Sequence, residues 1–124
     1  MGQLEHLNVT VADVHKTAAM LRELFGWSVR WEGASIHGGY SAHVGSDESY
    51  VALYAKDGGT PAARSYDHIG ALNHVGVLVE DLDATEARVA AAGFVPHAHA
   101  DYEPGRRFYF DDADGIEWEV ISYA

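Results

Sequence analysis

The chain has 124 residues, enough for one hydrophobic core and too few for two independent ones. It holds no cysteine, which excludes disulfides and thiolate metal sites, so any metal must be bound through nitrogen and oxygen. Nineteen acidic residues against eight basic ones, a net charge of −11, argue against nucleic acid or an anionic membrane as partner, because both require clustered Lys and Arg.

In chain order, the first expected element is a strand in LEHLNVTV, where Leu7, Val9 and Val11 alternate with His6, Asn8 and Thr10. Asp13 then stands at a helix N-cap position. Val14, Ala18, Leu21 and Phe25 fall at helical spacing, which predicts an amphipathic helix with Lys16, Arg22 and Glu23 toward solvent, closed by Gly26. Three strand-like segments follow at Trp27–Trp31, Gly39–Val44 and Tyr50–Ala55, with GSDES as a turn before the last. Residues 57–70 have no periodicity and read as a linker.

The pattern then begins again. LEHLNVTVADVHKT from Leu4 matches LNHVGVLVEDLDAT from Leu72 at a constant offset, pairing His6 with His74, Val9 with Val77 and Asp13 with Asp81. A weaker helix runs through Leu82, Val89 and Ala92 to Gly93, and strands are expected at Phe94–Ala98, Arg106–Phe110 and Ile116–Ser122. The reading is an α+β single domain over residues 1–124: a βαβββ module at 1–56, the linker, and a second βαβββ module at 71–124. A ferredoxin-like sandwich also alternates strands with two helices, but three strands after each helix fit the duplication better.

Strand alternation assigns faces. Leu7, Val9 and Val11 go toward the helix and His6, Asn8 and Thr10 the other way; Val75, Val77 and Val79 go toward the second helix and His74 the other way. Two histidines at equivalent places in duplicated modules are candidates to share one cavity. In IEWEVIS, Trp118 and Val120 face the core while Glu117, Glu119 and Ile121 take the histidine side. A carboxylate in an apolar strand requires a cation or solvent, and a metal would supply the cation. His6, His74 and Glu119 make a two-histidine, one-carboxylate set suited to one divalent ion of iron, manganese, nickel, cobalt or zinc. Glu117 is expected to be solvated. His15, His37, His43 and His68 are expected at the surface or lining a pocket, as are His97 and His99, which share a face if their strand is regular and make a weak second candidate site.

The EHLNVTVADV start, the LFGW helix exit, the NHVGVLVEDL restart and the closing FYFDDADGIEWEV together resemble the vicinal-oxygen-chelate superfamily, which includes glyoxalase I, extradiol dioxygenases, methylmalonyl-CoA epimerase, fosfomycin-resistance transferases and bleomycin-binding proteins. Ala113 stands where that family usually has proline in the Asp-Pro-Asp-Gly turn. The resemblance implies modules curled into an incomplete barrel around a central cavity, commonly as a homodimer. It implies His6, His74 and Glu119 as metal ligands, and Glu119 and Tyr109 for catalytic roles. The fourth ligand of glyoxalase I and the epimerase falls on Ala52, which cannot bind a metal, so the three-ligand pattern of dioxygenases and fosfomycin-resistance enzymes is the better match. Asn8, Tyr50, Ala52, Tyr54, Arg107 and Tyr109 are the expected substrate-pocket residues.

The function implied is a metal-dependent enzyme, a lyase, dioxygenase or transferase, acting on a small substrate chelated through oxygen. The alternative is a metal-free protein of the bleomycin-resistance type that sequesters a small molecule; such proteins generally lack the ligand set. The apolar stretches break before membrane-spanning length and MGQLEHLNVTV has no basic start followed by an apolar run, which makes cytoplasmic the expected location.

Overall fold

The computed structural model describes residues 1–63 and 65–124. Arg64, within the expected linker, lies outside them. The chain forms two compact units, Met1–Thr60 and Pro61–Ala124. Each is a βαβββ module, as the repeat predicts.

The first unit runs β1 (His6–Thr10), α1 (Val14–Phe25), β2 (Ser28–Ala34), β3 (Tyr40–Gly45) and β4 (Tyr50–Ala55), with a 3-10 turn at Ile36–Gly38. Its sheet order is β1-β4-β3-β2, with β1 parallel to β4 and the other pairs antiparallel. The Asp13 side chain caps α1 by accepting from the Lys16 N–H, and Gly26 ends it at φ 69°. That left-handed conformation is open to glycine without steric penalty. The helix buries Val14, Thr17, Ala18, Leu21 and Leu24 against β3 and β4, where Ala42, Val44, Val51 and Leu53 complete the core.

The second unit repeats the design with β5 (Val75–Leu78), α2 (Leu82–Ala91), β6 (His97–Tyr102), β7 (Gly105–Asp111) and β8 (Glu117–Ser122), in the order β5-β8-β7-β6. Again the first and last strands pair in parallel. Asp81 caps α2 through the Ala84 N–H. Val77, Leu82, Val89, Phe108, Phe110, Trp118 and Val120 form the core. Trp118 is fully buried, and its indole N–H donates to Asp112 Oδ2 at 3.0 Å. No helix among the described residues is long and apolar enough to cross a membrane.

Several expectations need correction. The helix-facing side of β1 is poorly covered at its start: Leu7 is 40% exposed, and only Val11, beyond the strand, is buried. Strand β6 begins at His97, not Phe94, because Pro96 offers no N–H to a ladder. The register shifts between His97 and Ala100, with Ala98 at φ 53°, and this irregularity sends the two histidines to opposite faces. His97 stacks on Tyr109 and lies 3.6 Å from Asp111, whereas His99 stacks on Phe108 and bonds Glu86 of α2 at 2.9 Å. They do not form a shared site. Glu117, expected to be solvated, accepts a hydrogen bond from the Tyr66 hydroxyl, so part of the linker folds onto β8. Ala92 caps α2 in right-handed geometry, and Gly93, at φ 94°, follows the helix without being its cap.

Candidate functional site

Strand register fixes which side chains share the face turned away from each helix. In the first unit His6, Asn8 and Thr10 stand beside Tyr50, Ala52 and Tyr54, and Ala52 in turn stands beside His43. In the second unit Gly76 stands beside Glu119, and Glu119 beside Tyr109. Asn8 and Gly76 are equivalent in the repeat, so the ladders themselves make Ala52 the counterpart of Glu119 and His43 the counterpart of Tyr109. His43 was not singled out in the sequence, because its strand carries no recognisable self-match; the ladder supplies the alignment that the letters lack.

Around His6 the first unit gathers aromatic and basic groups. The His6 and Tyr50 rings stack at 4.9 Å, His43 and Tyr50 at 4.5 Å, and the Arg30 guanidinium lies 4.6 Å over the Tyr50 ring. A bulge between Val29 and Trp31 interrupts the β2 ladder, and Trp31 also meets His43 at 5.0 Å. Glu5 Oε1 accepts from His6 Nδ1 at 2.8 Å and from the Tyr50 hydroxyl at 3.3 Å. The His6 bond holds the Glu5 carboxyl below its ordinary value. Tyr54, expected to offer its hydroxyl to a pocket, donates it to the Ile36 carbonyl at 2.7 Å.

In the second unit His74 lies immediately before β5, with Nδ1 2.5 Å from Asn73 Oδ1 and Nε2 3.5 Å from Glu119 Oε1. The other carboxylate oxygen is occupied: Glu119 Oε2 accepts from Arg107 Nη1 at 3.0 Å and from the Tyr109 hydroxyl at 2.7 Å. Arg107 is buried, lies over the Tyr102 ring at 4.5 Å and donates to the Gly105 carbonyl at 3.2 Å. Burial pushes the Glu119 carboxyl up, but the hydrogen bonds from Tyr109 and Arg107 lower it further, and the net direction is down. Tyr109 is pushed up to about 12 by its bond to Glu119, then by burial.

The cation that Glu119 requires is therefore present within its own unit as Arg107. Glu119 Oε1 and His74 Nε2 are left facing each other. Within either unit taken by itself, no three or more His, Asp or Glu side chains among the described residues cluster to hold a metal.

A family model for the glyoxalase/bleomycin resistance protein/dioxygenase superfamily matches residues 3–120, and the chain belongs to this superfamily. Among solved structures, a glyoxylase/bleomycin resistance protein/dioxygenase domain from Frankia sp. EAN1pec is 25% identical, with TM-score 0.82, covering 98% of this chain and 92% of that one. A FosX fosfomycin resistance protein from Mesorhizobium loti is 22% identical, with TM-score 0.74 and coverage of 98% and 91%. A mutant of FosX from Listeria monocytogenes, solved with Mn(II) and 1S,2S-dihydroxypropylphosphonic acid, is 20% identical, with TM-score 0.77 and coverage of 98% and 92%. Comparison with curated protein sequences finds no match.

Proposed function

We propose that the chain is a metal-dependent enzyme acting on a small oxygen-bearing substrate, with His6, His74 and Glu119 holding one divalent ion. Superfamily membership and the likeness to FosX fit a metal-dependent role. The carrying observation is the facing pair in the second unit, His74 Nε2 and Glu119 Oε1, 3.5 Å apart. Two donors at that spacing are close enough that one divalent ion could be held by both, as His nitrogen and carboxylate oxygen commonly do. His6 enters the set as the repeat counterpart of His74.

When bound, the ion would act as a Lewis acid toward paired substrate oxygens. The chain's own residues set up its reception. Arg107 and Tyr109 fix Glu119 through Oε2 and thereby present Oε1. With its pKa near 12, the Tyr109 hydroxyl stays protonated at neutral pH and works as a donor, not as a base. Asn8, Tyr50 and Ala52 share the face of His6 and are proposed to line the substrate pocket with Tyr54, Arg107 and Tyr109. In this reading the two units make one glyoxalase-like domain, which works as a homodimer.

The test is elemental analysis of untagged protein purified without chelator, extended to three variants. About one iron, manganese, nickel, cobalt or zinc per chain is expected, because one His-His-Glu set holds one ion. His6→Ala and Glu119→Ala should lose it while His15→Ala keeps it. Equal metal content in all three would refute the assignment. The Arg107–Glu119 ion pair favours a second reading, a metal-free binding protein for a small molecule, since it balances the carboxylate without an ion. Protein that cannot be loaded with any of these metals would bring that reading forward.

A further inference from the structure

A feature recurs in both units outside the proposed ligands themselves. The residue before each histidine, Glu5 before His6 and Asn73 before His74, occupies the same place in the repeat and turns its side chain back onto the histidine's Nδ1. The two residues differ in charge and length, yet each presents an oxygen, Glu5 Oε1 at 2.8 Å and Asn73 Oδ1 at 2.5 Å. Ionised carboxylate and amide oxygens accept and do not donate, so each histidine must carry its proton on Nδ1 to make these bonds. A neutral imidazole then has its lone pair on Nε2. In the second unit Nε2 is the nitrogen that faces Glu119 Oε1.

Both residues are held in turn, Glu5 at its carboxylate and Asn73 at its backbone. Glu5 is held by the Tyr50 hydroxyl at 3.3 Å, and Tyr50 itself stacks on the His6 ring at 4.9 Å. The main-chain carbonyl of Asn73 accepts from Ser65 Oγ at 3.3 Å. The His74 ring is steadied from another side by Tyr109, edge-on at 5.7 Å.

We infer that Glu5 and Asn73 are a matched pair of positioning residues that lock His6 and His74 in the Nδ1–H tautomer and so present both Nε2 atoms for coordination. This rests on the metal reading above. Neither residue touches the ion or the substrate; each acts through its histidine, as hydrogen-bonded partners behind ligating histidines do.

The experiment has two readouts on the full chain. Nitrogen NMR of the metal-free protein reports which nitrogen of His6 and of His74 is protonated. Competition against a chelating dye reports the affinity for zinc. Wild type should show Nδ1–H at both histidines. Glu5→Ala should release His6 alone, Asn73→Ala should release His74 alone, and each should weaken zinc binding by about 10- to 100-fold. Glu5→Gln and Asn73→Asp keep an acceptor oxygen and should restore both tautomer and affinity to near wild type. A tautomer that stays on Nδ1 in both alanine variants overturns the inference, whatever the affinity does. Wild-type protein with the stated tautomers that takes up no zinc overturns the metal reading instead, which separates the two failures.

Discussion

Replacing Asp112 by alanine should destabilise the second unit more than an ordinary surface change does. Asp112 is 8% exposed, and its carboxylate accepts three hydrogen bonds: from Trp118 Nε1 at 3.0 Å, from the Asp114 N–H at 2.9 Å and from the Ile116 N–H at 3.0 Å. A buried donor left without its acceptor costs about 1–3 kcal/mol, and each turn bond lost about 0.5–1.5 kcal/mol. Relief of the buried charge offsets part of this, which leaves a net loss of about 2–4 kcal/mol. Asp112→Asn keeps an oxygen for the two backbone donors but turns an NH₂ toward the indole, so it should cost about 1–3 kcal/mol. Urea unfolding of both variants measures the difference. In a Trp118→Phe background the indole donor is gone and Asp112→Asn should cost little, giving a coupling of roughly 1 kcal/mol or more in a double-mutant cycle. Strict additivity would refute the account. Burial pushes the Asp112 carboxyl above its ordinary value, with its hydrogen bonds pulling the other way. A raised folded pKa gives a contribution fully present below the unfolded pKa and lost as pH rises through the folded one. The stability advantage of wild type over Asp112→Asn should therefore grow on acidification from neutral pH, and an advantage that shrinks would contradict the sign.

Two further predictions bear on the candidate site. In Glu119→Gln the Tyr109 phenol should fall from about 12 toward the ordinary tyrosine value of roughly 10, read as tyrosinate absorbance against pH; an unchanged alkaline limb would mean that Glu119 is not the perturbing group. Ala52 is 2% exposed and sits between Asn8 and His43, so Ala52→Glu buries a carboxylate and should lower metal-free stability by more than about 2 kcal/mol. Zinc should narrow that deficit and bind this variant more tightly than wild type, and equal zinc affinity in the two would show that position 52 does not face the ion.

The duplication was legible because its carriers are short-range: a strand of alternating residues, an Asp cap, then a helical stripe. Asp13 and Asp81 both cap as expected, and Tyr50–Ala55 is a strand with the expected bounds. The alternation also put Glu119 on the right face of β8, where Arg107 and Tyr109 meet it. What strict alternation could not supply was the place where it breaks. A single left-handed residue at Ala98 parts His97 from His99, and an alanine gives no signal for that conformation. The partner of Glu119 was missed for a different reason. A lone carboxylate in an apolar strand calls for a cation, but only the cross-strand register shows that Arg107 is near enough to be one.

The parallel pairing of β1 with β4, and of β5 with β8, bears on the order in which the molecule is made. His6 belongs to the first strand synthesised in its module, yet among the described residues that strand's ladder partner is the last. The loop that joins them must close before the strand is held, and closure of a long loop is opposed by chain entropy. On the ribosome β1 therefore emerges without a partner and waits while the helix and three strands follow, and β5, with His74 just ahead of it, does the same in the second half. A chain stopped one strand short of either module's end would retain the histidine and lose the ladder that holds it in place.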